Sequence, residues 1–432
     1  MTARRAGIVL SLLLGTSARA AEPSLAGEIA AIRAIDDHTH AARVLSPAEP
    51  DDPESDALEC APDGSPPARL AGATPPMIQA WRKVYGYAYQ DGSHRAEIPA
   101  LRERAWAARG AGFPAWVLDT VGTEVAFANR VAMGPGLTAP RFRWVPFVDA
   151  LVFPLDTRRL RINPDRAAFF ASEARLGERY RGALGLRQLP LTLDGYLRDL
   201  LVPTLSRFKR EGVAALKLEL AYLRSLDVGP GPRDVAARTY ARFVHGGTPD
   251  DAAYRALQDF LIRVIAREAG RLELPLQLHT GGGCGGFFDL AGSAPRLLSA
   301  LVNDPALRAT RFVLLHGGGA AYSGEAAALI VKSNVWTDFS ALTFLSSPRT
   351  LAEILRNWLE LAPEKVLFGS DYGPMGPGSD GAEIAALAAA TAREALTRAL
   401  DMMVADGELT RARALEIATL VLRGTAIKLY RL

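Results

Sequence analysis

Two histidines one residue apart, His38 and His40, end a short run that begins Ala34-Ile35-Asp36-Asp37. In a strand, alternate side chains share a face, so both imidazoles point the same way about 7 Å apart. A pair so placed can share one divalent ion, although His-x-His alone fits a solvated turn equally well. Three further apolar runs end in groups of the same chemistry: Leu276-Gln277-Leu278-His279, Phe312 to His316, and Val366 to Asp371. A fourth, Val213 to Leu220, is interrupted by Lys217 and Glu219 on one face. Four of the chain's six histidines therefore fall at expected strand ends. Singly, a strand-end His is often a hydrogen-bonded rim residue and a strand-end Asp a helix cap. Together, imidazoles and a carboxylate form a donor set suited to Zn2+ or a similar first-row ion. His94 and His245 read as surface or loop residues.

The elements that must position these groups alternate between two periodicities. Besides the runs above, Trp116–Thr120, Arg143–Val148 and Val335–Ser340 read as strands. Helical patterns cover Leu101–Arg109, Tyr196–Arg210, Asp251–Ala269, Glu383–Leu400 and Leu409–Leu422. Strands alternating with helices imply βα units and a parallel sheet. Eight of them, with polar groups at their C-terminal ends, imply an α/β chain folded as a (β/α)8 TIM barrel with C-terminal helices. Two stretches exceed ordinary connections. Residues 41–99 follow the first strand and carry Trp81, Tyr85, Tyr87 and Tyr89; they form either a lid or a surface insert with its own small core. The second, residues 153–187, is rich in arginine. No internal repeat and no glycine-rich phosphate motif is present.

The 432 residues, 49% hydrophobic, suffice for a large core. Residues 1–20 read as an export signal: Arg4 and Arg5, an apolar run from Ala6 to Gly15, and the small-x-small site Ala18-Arg19-Ala20. The run is too short to span a bilayer. Cleavage would leave residues 21–432 as one domain, periplasmic or secreted, and would take the formal charge from +3 to zero. A neutral chain gives no electrostatic reason for nucleic acid or an anionic membrane as partner; a small molecule is the expected one, with a homodimer open. Two cysteines, Cys60 and Cys284, exclude a disulfide-built scaffold. Both fall in loops expected on the catalytic face, where an oxidising compartment would let them bridge lid and barrel.

These motifs, in this order over nearly the whole mature chain, resemble the amidohydrolase superfamily of metal-dependent barrel enzymes. The likeness is to its amidohydrolase 2 branch, through Lys217-Leu-Glu-Leu-Ala221-Tyr222, Gln277-Leu-His279, Leu315-His316 and Phe368-Gly-Ser-Asp371. The resemblance implies one or two divalent ions, Zn2+ first and Mn2+ second, held by His38, His40 and Asp371. His279 and His316 would complete that site or hold a second ion. It also implies hydrolysis of a C–N or C–O bond, in an amide, cyclic amide, ester or lactone, by metal-activated water. Asp371 would move the proton, and His316, when not a ligand, would polarise the carbonyl. In two-metal relatives a lysine at the place of Lys217 is carbamylated and bridges the ions; otherwise Lys217 pairs with Glu219 beside one ion or meets substrate. Only six lysines occur against forty-four arginines, so one inside an apolar strand is notable. Tyr222 and Arg224 lie where substrate would sit, and Arg224 is either a carboxylate clamp or a loop ion pair. The alternatives are non-oxidative decarboxylation of a small, aromatic acid by the same ligands, and a binding protein with a vestigial site.

Overall fold

A computed structural model describes residues 24–45, 52–56, 67–374 and 381–432. The expected export signal and Cys60 lie outside them. Eight parallel strands follow in order: β1 Ala34–Thr39, β2 Thr123–Asn129, β3 Phe142–Val145, β4 Leu216–Leu218, β5 Leu276–His279, β6 Phe312–Leu315, β7 Val335–Asp338 and β8 Val366–Leu367. Strands β1 to β3 pair consecutively, as do β4 to β8. Backbone hydrogen bonds continue across both gaps. Lys217 N donates to Pro146 O at 3.0 Å and Val148 N to Lys217 O at 2.9 Å. At the other seam, Asp37 N donates to Phe368 O at 3.0 Å and Asp371 N to His38 O at 2.8 Å. The strands thus form a ring, the α/β barrel expected from the alternating pattern.

The strands are almost wholly buried, because inside a barrel one face meets the filled interior and the other the helices. Interior packing joins Ile35, Phe127, Val145, Val313, Leu315 and Leu367 to Tyr430 of the last helix. On the outside, Asp251–Arg271 buries Leu257, Leu261, Ile262 and Ile265 at helical spacing, and Asp250 caps it by accepting from Ala253 N.

One strand was misplaced by the sequence pattern. Trp116–Thr120 lies inside a helix, Phe113–Val121, begun by Pro114 and ended by Gly122 in the left-handed region. Its buried residues Phe113, Val117, Leu118 and Val121 keep i, i+4 spacing, which a five-residue apolar window hides. The strand, Thr123–Asn129, follows it and begins three residues after the expected one ends. The expected helix Tyr196–Arg210 is one rod from Leu193 to Arg210 with a π-turn at Leu197–Leu201.

The first insert, in its described part, has the small core of its own that was one of its two expected readings. Its helix Pro75–Tyr85 buries Trp81 and Tyr85 with Tyr87 in a second core against Phe113–Val121 and Ala382–Ala405. Glu383 ties this layer down, accepting from Tyr85 at 2.5 Å and Arg102 at 2.7 Å. A shorter piece, residues 52–56, reaches the barrel mouth, where Asp52 pairs with the fully buried Arg130 at 2.5 Å.

Candidate metal centre

At the C-terminal end of the ring the expected residues converge. His38 Nε2 lies 2.9 Å from Asp371 Oδ1, and His40 Nε2 lies 3.4 Å from the same oxygen. His316 Nδ1 is 3.9 Å from Asp371 Oδ2, and His316 Nε2 is 3.1 Å from His279 Nδ1. Ligand atoms of His38, His316 and Asp371 fall within 4.8 Å of one another. His316 and Asp371 both adopt positive φ, 63° and 60°, in the sparsely populated left-handed region. Such strain persists where surrounding structure enforces it, commonly at functional sites. Here Asp338 Oδ1 accepts from His316 N at 2.6 Å, and His38 O accepts from Asp371 N.

Each imidazole is oriented by a partner behind it. His38 Nδ1 donates to Asn129 Oδ1 at the end of β2, which leaves Nε2 with its lone pair toward Asp371. His40 Nδ1 lies 2.6 Å from Asp56 Oδ2 as an ion pair, and His279 Nε2 donates to Gly282 O at 3.1 Å. Ser340 Oγ lies 2.8 Å from His316 Nδ1 and within 2.8 Å of both Asp338 oxygens. This backing is what holds metal-site histidines in one tautomer and orientation.

Burial first, then Lys217, pushes His279 down to about 3; burial also holds His38 and His316 well below the usual histidine range. These three are neutral, as metal ligands must be. His40 is different. Burial pulls it down, but Asp56, Asp371 and Glu219 prevail and raise it to about 9.

The residues fit a divalent ion. His38 Nε2 is completely buried and has no hydrogen-bond partner, yet it faces a carboxylate oxygen across 2.9 Å. A neutral imidazole lone pair against a carboxylate is repulsive unless a cation lies between them. Separations of 2.9 and 3.1 Å match neighbouring donors on an ion bound at about 2.1 Å.

Lys217 is fully buried on β4, 3.7 Å from Glu219 Oε1, with no hydrogen-bond partner for Nζ. Glu219 is anchored through its backbone N–H to both oxygens of Asp149, at 2.8 and 2.9 Å. Tyr222 borders the site, its ring 4.6 Å from that of His279. Its hydroxyl is 3.9 Å from Sγ of Cys284, which is disulfide-bonded. Asp165, at the head of the helix Pro164–Ala183, accepts from Phe287 N at 2.9 Å and so steadies the loop after β5.

Arg224 does not serve as a substrate clamp. Its guanidinium is 4% exposed and fully engaged, with Asp259 Oδ1 at 2.6 Å, Gln258 Oε1 at 3.2 Å, and the carbonyls of Ser225 and Asp227. The backbone at Arg224 is extended, and its guanidinium meets Gln258 and Asp259 of the helix Asp251–Arg271, the ion pair that was one of its two expected roles. His94 is half-exposed, stacked on Tyr89 at 3.7 Å.

Sequence reasoning passed over the residues behind the ligands: Asn129, Asp56, Asp338 and Ser340. Two more are Asp36 and Asp37, beneath the histidines. Burial lifts Asp36 to about 8, although Ser370 N donates to it at 2.9 Å, and Tyr430 donates to Asp37 Oδ2 at 3.0 Å. Their signal was present: two acids in an otherwise apolar strand cannot both be solvated.

Residues 230–432 match the sequence model of the amidohydrolase family, Amidohydro_2. No curated protein matches the chain. Among solved structures, a protein of Lactobacillus casei ATCC 334 assigned as a metal-dependent hydrolase is 17% identical, with TM-score 0.58 over 94% of this chain and 97% of that one. Uronate isomerase of Thermotoga maritima is 15% identical, with TM-score 0.61 over 84% of this chain and 79% of its own. Glucuronate isomerase of Caulobacter crescentus is 17% identical, with TM-score 0.61 over 83% and 75%. At these identities the likeness is one of fold, a TIM barrel. Residues 230–432, which carry His279, His316 and Asp371, are thus similar to the amidohydrolase family.

Proposed function

We propose that this chain is an exported hydrolase that uses one divalent ion, Zn2+ before Mn2+, to cleave a C–N or C–O bond in an amide, cyclic amide, ester or lactone. The convergence of His38, His316 and Asp371, with His38 Nε2 unpartnered, carries this reading. His40 and His279 adjoin the three and would complete the shell. A divalent ion there would supply a water activated near neutral pH and would polarise the scissile carbonyl. Asp371 is placed to move the proton. Its Oδ1 faces His38 and His40, so Oδ2, 3.9 Å from His316, is the freer atom to take it and return it to the leaving group. His316 is held in place as a ligand by Ser340 and Asp338, and Tyr222 forms an apolar wall beside His279.

Lys217 is read as a cation beside Glu219, with one ion rather than two, because its nearest acid is Glu219 and not a metal ligand. The disulfide at Cys284 supports an oxidising compartment, periplasm or exterior, after loss of the signal. Among the described residues no helix is long and apolar enough to cross a membrane.

Elemental analysis of chain purified without chelator, in bicarbonate buffer, tests the centre. About one equivalent, lost in Asp371→Asn, is expected, with turnover in a screen of amides, lactones and esters. Two equivalents would move Lys217 to the carbamylated, bridging role. None, unchanged by added Zn2+ or Mn2+, would sink the proposal. Carbon dioxide release from an aromatic acid, without hydrolysis, would replace the reaction but keep the site.

A further inference from the structure

The arginine-rich insert between β3 and β4 takes no part in the metal centre. Its helix Pro164–Ala183, the preceding segment from Ala150 to Arg161 and the turn at Arg187 enclose a groove of about 590 Å³. That volume is typical of small-molecule sites. Arg158, Arg161, Arg181 and Arg187 line it. Arg158 is paired with Asp156 at 2.8 Å, and Arg181 lies 3.8 Å from Glu178. Arg161 and Arg187 have no carboxylate partner among the described residues; Arg161 donates to Thr157 Oγ1 at 3.1 Å.

The inner wall of the groove holds Glu173, 3% exposed, and neither carboxyl oxygen has a hydrogen-bond partner. Both oxygens are closed off from the groove, so this carboxyl is part of the wall and not of the lining a ligand would touch. Burial, reinforced by Asp149, Glu219 and Asp56, holds this carboxyl well above the usual range. The uncompensated positive charge of Arg161 and Arg187 along the groove calls for an anionic ligand.

We propose that this groove binds a small organic anion, its carboxylate or phosphate held by Arg161 and Arg187. Guanidinium forks receive either oxyanion bidentately, so the two sources share one recognition chemistry.

Calorimetric titration of the purified chain with succinate and with glucose 6-phosphate, glucose serving as the neutral control, tests it. At least one anion binds and glucose does not; the tighter anion identifies the headgroup. In the double variant Arg161→Gln, Arg187→Gln, affinity falls by at least roughly tenfold, the loss of one or more charge-assisted hydrogen bonds, with unchanged Tm. Asp371→Asn binds like the parent chain, which separates this groove from the metal centre. The proposal is overturned if neither anion binds, if the double variant binds equally well, or if Asp371→Asn abolishes binding.

Discussion

Replacing Arg224 by alanine should cost stability and spare the active centre. The guanidinium makes four hydrogen bonds, the shortest to Asp259 at 2.6 Å, and the two side chains are 4% and 8% exposed. Burial lowers Arg224 to about 10, with Asp259 opposing, so it stays a cation at neutral pH. Removing one member of such a pair leaves a buried charge, a loss of roughly 3–5 kcal/mol. Arg255, 3.7 Å from Asp259, offsets part of it, which places the expected loss at about 3 kcal/mol. Unfolding entropy near 2.1 cal/mol/K per residue gives ~0.9 kcal/mol per degree for 432 residues, hence a Tm lower by about 3–4 °C. Replacing both partners by apolar residues, Arg224→Met with Asp259→Leu, should restore most of that. The assays are calorimetric Tm, metal per chain, and kcat/KM for whichever ester or amide the screen turns over. Unchanged Tm with KM raised a hundredfold would refute the reasoning and return Arg224 to the substrate.

Two further outcomes are expected. Asn129→Leu removes the acceptor that orients His38, and metal affinity in chelator competition should fall by roughly 10–100-fold; equal affinity would show that Asn129 plays no positioning role. Glu173→Gln tests the buried acid. The folded chain holds this proton more tightly than the unfolded one, so Glu173's contribution is complete below about pH 4.3 and is lost as pH rises above it. Glutamine cannot ionise. Urea denaturation should therefore find the variant more stable than the parent near pH 8, with the gap closing toward pH 4; a variant less stable at both values contradicts the assignment.

The sequence by itself determined the barrel and which residues gather at the candidate metal centre, because both follow from short-range rules. Alternation made His38 and His40 neighbours on one face, and apolar runs ending in His279, His316 and Asp371 placed these at strand ends. Where a rule was ambiguous the reading slipped, as at Trp116–Thr120, whose few apolar residues suit a helix or a strand equally. Everything behind the ligands was decided by tertiary structure. Asn129 meets His38 across 91 residues, Asp36 meets Ser370 across 334, and Tyr430 meets Asp37 across 393. No local pattern encodes such pairings, since only ring closure brings β8 and the last helix against β1. The same holds for Arg224, whose neighbours in sequence suggest a substrate and whose neighbours in space, Gln258 and Asp259, make it an ion pair. Residue type says what chemistry a side chain can do; which groups it must satisfy once water is excluded is settled only by packing.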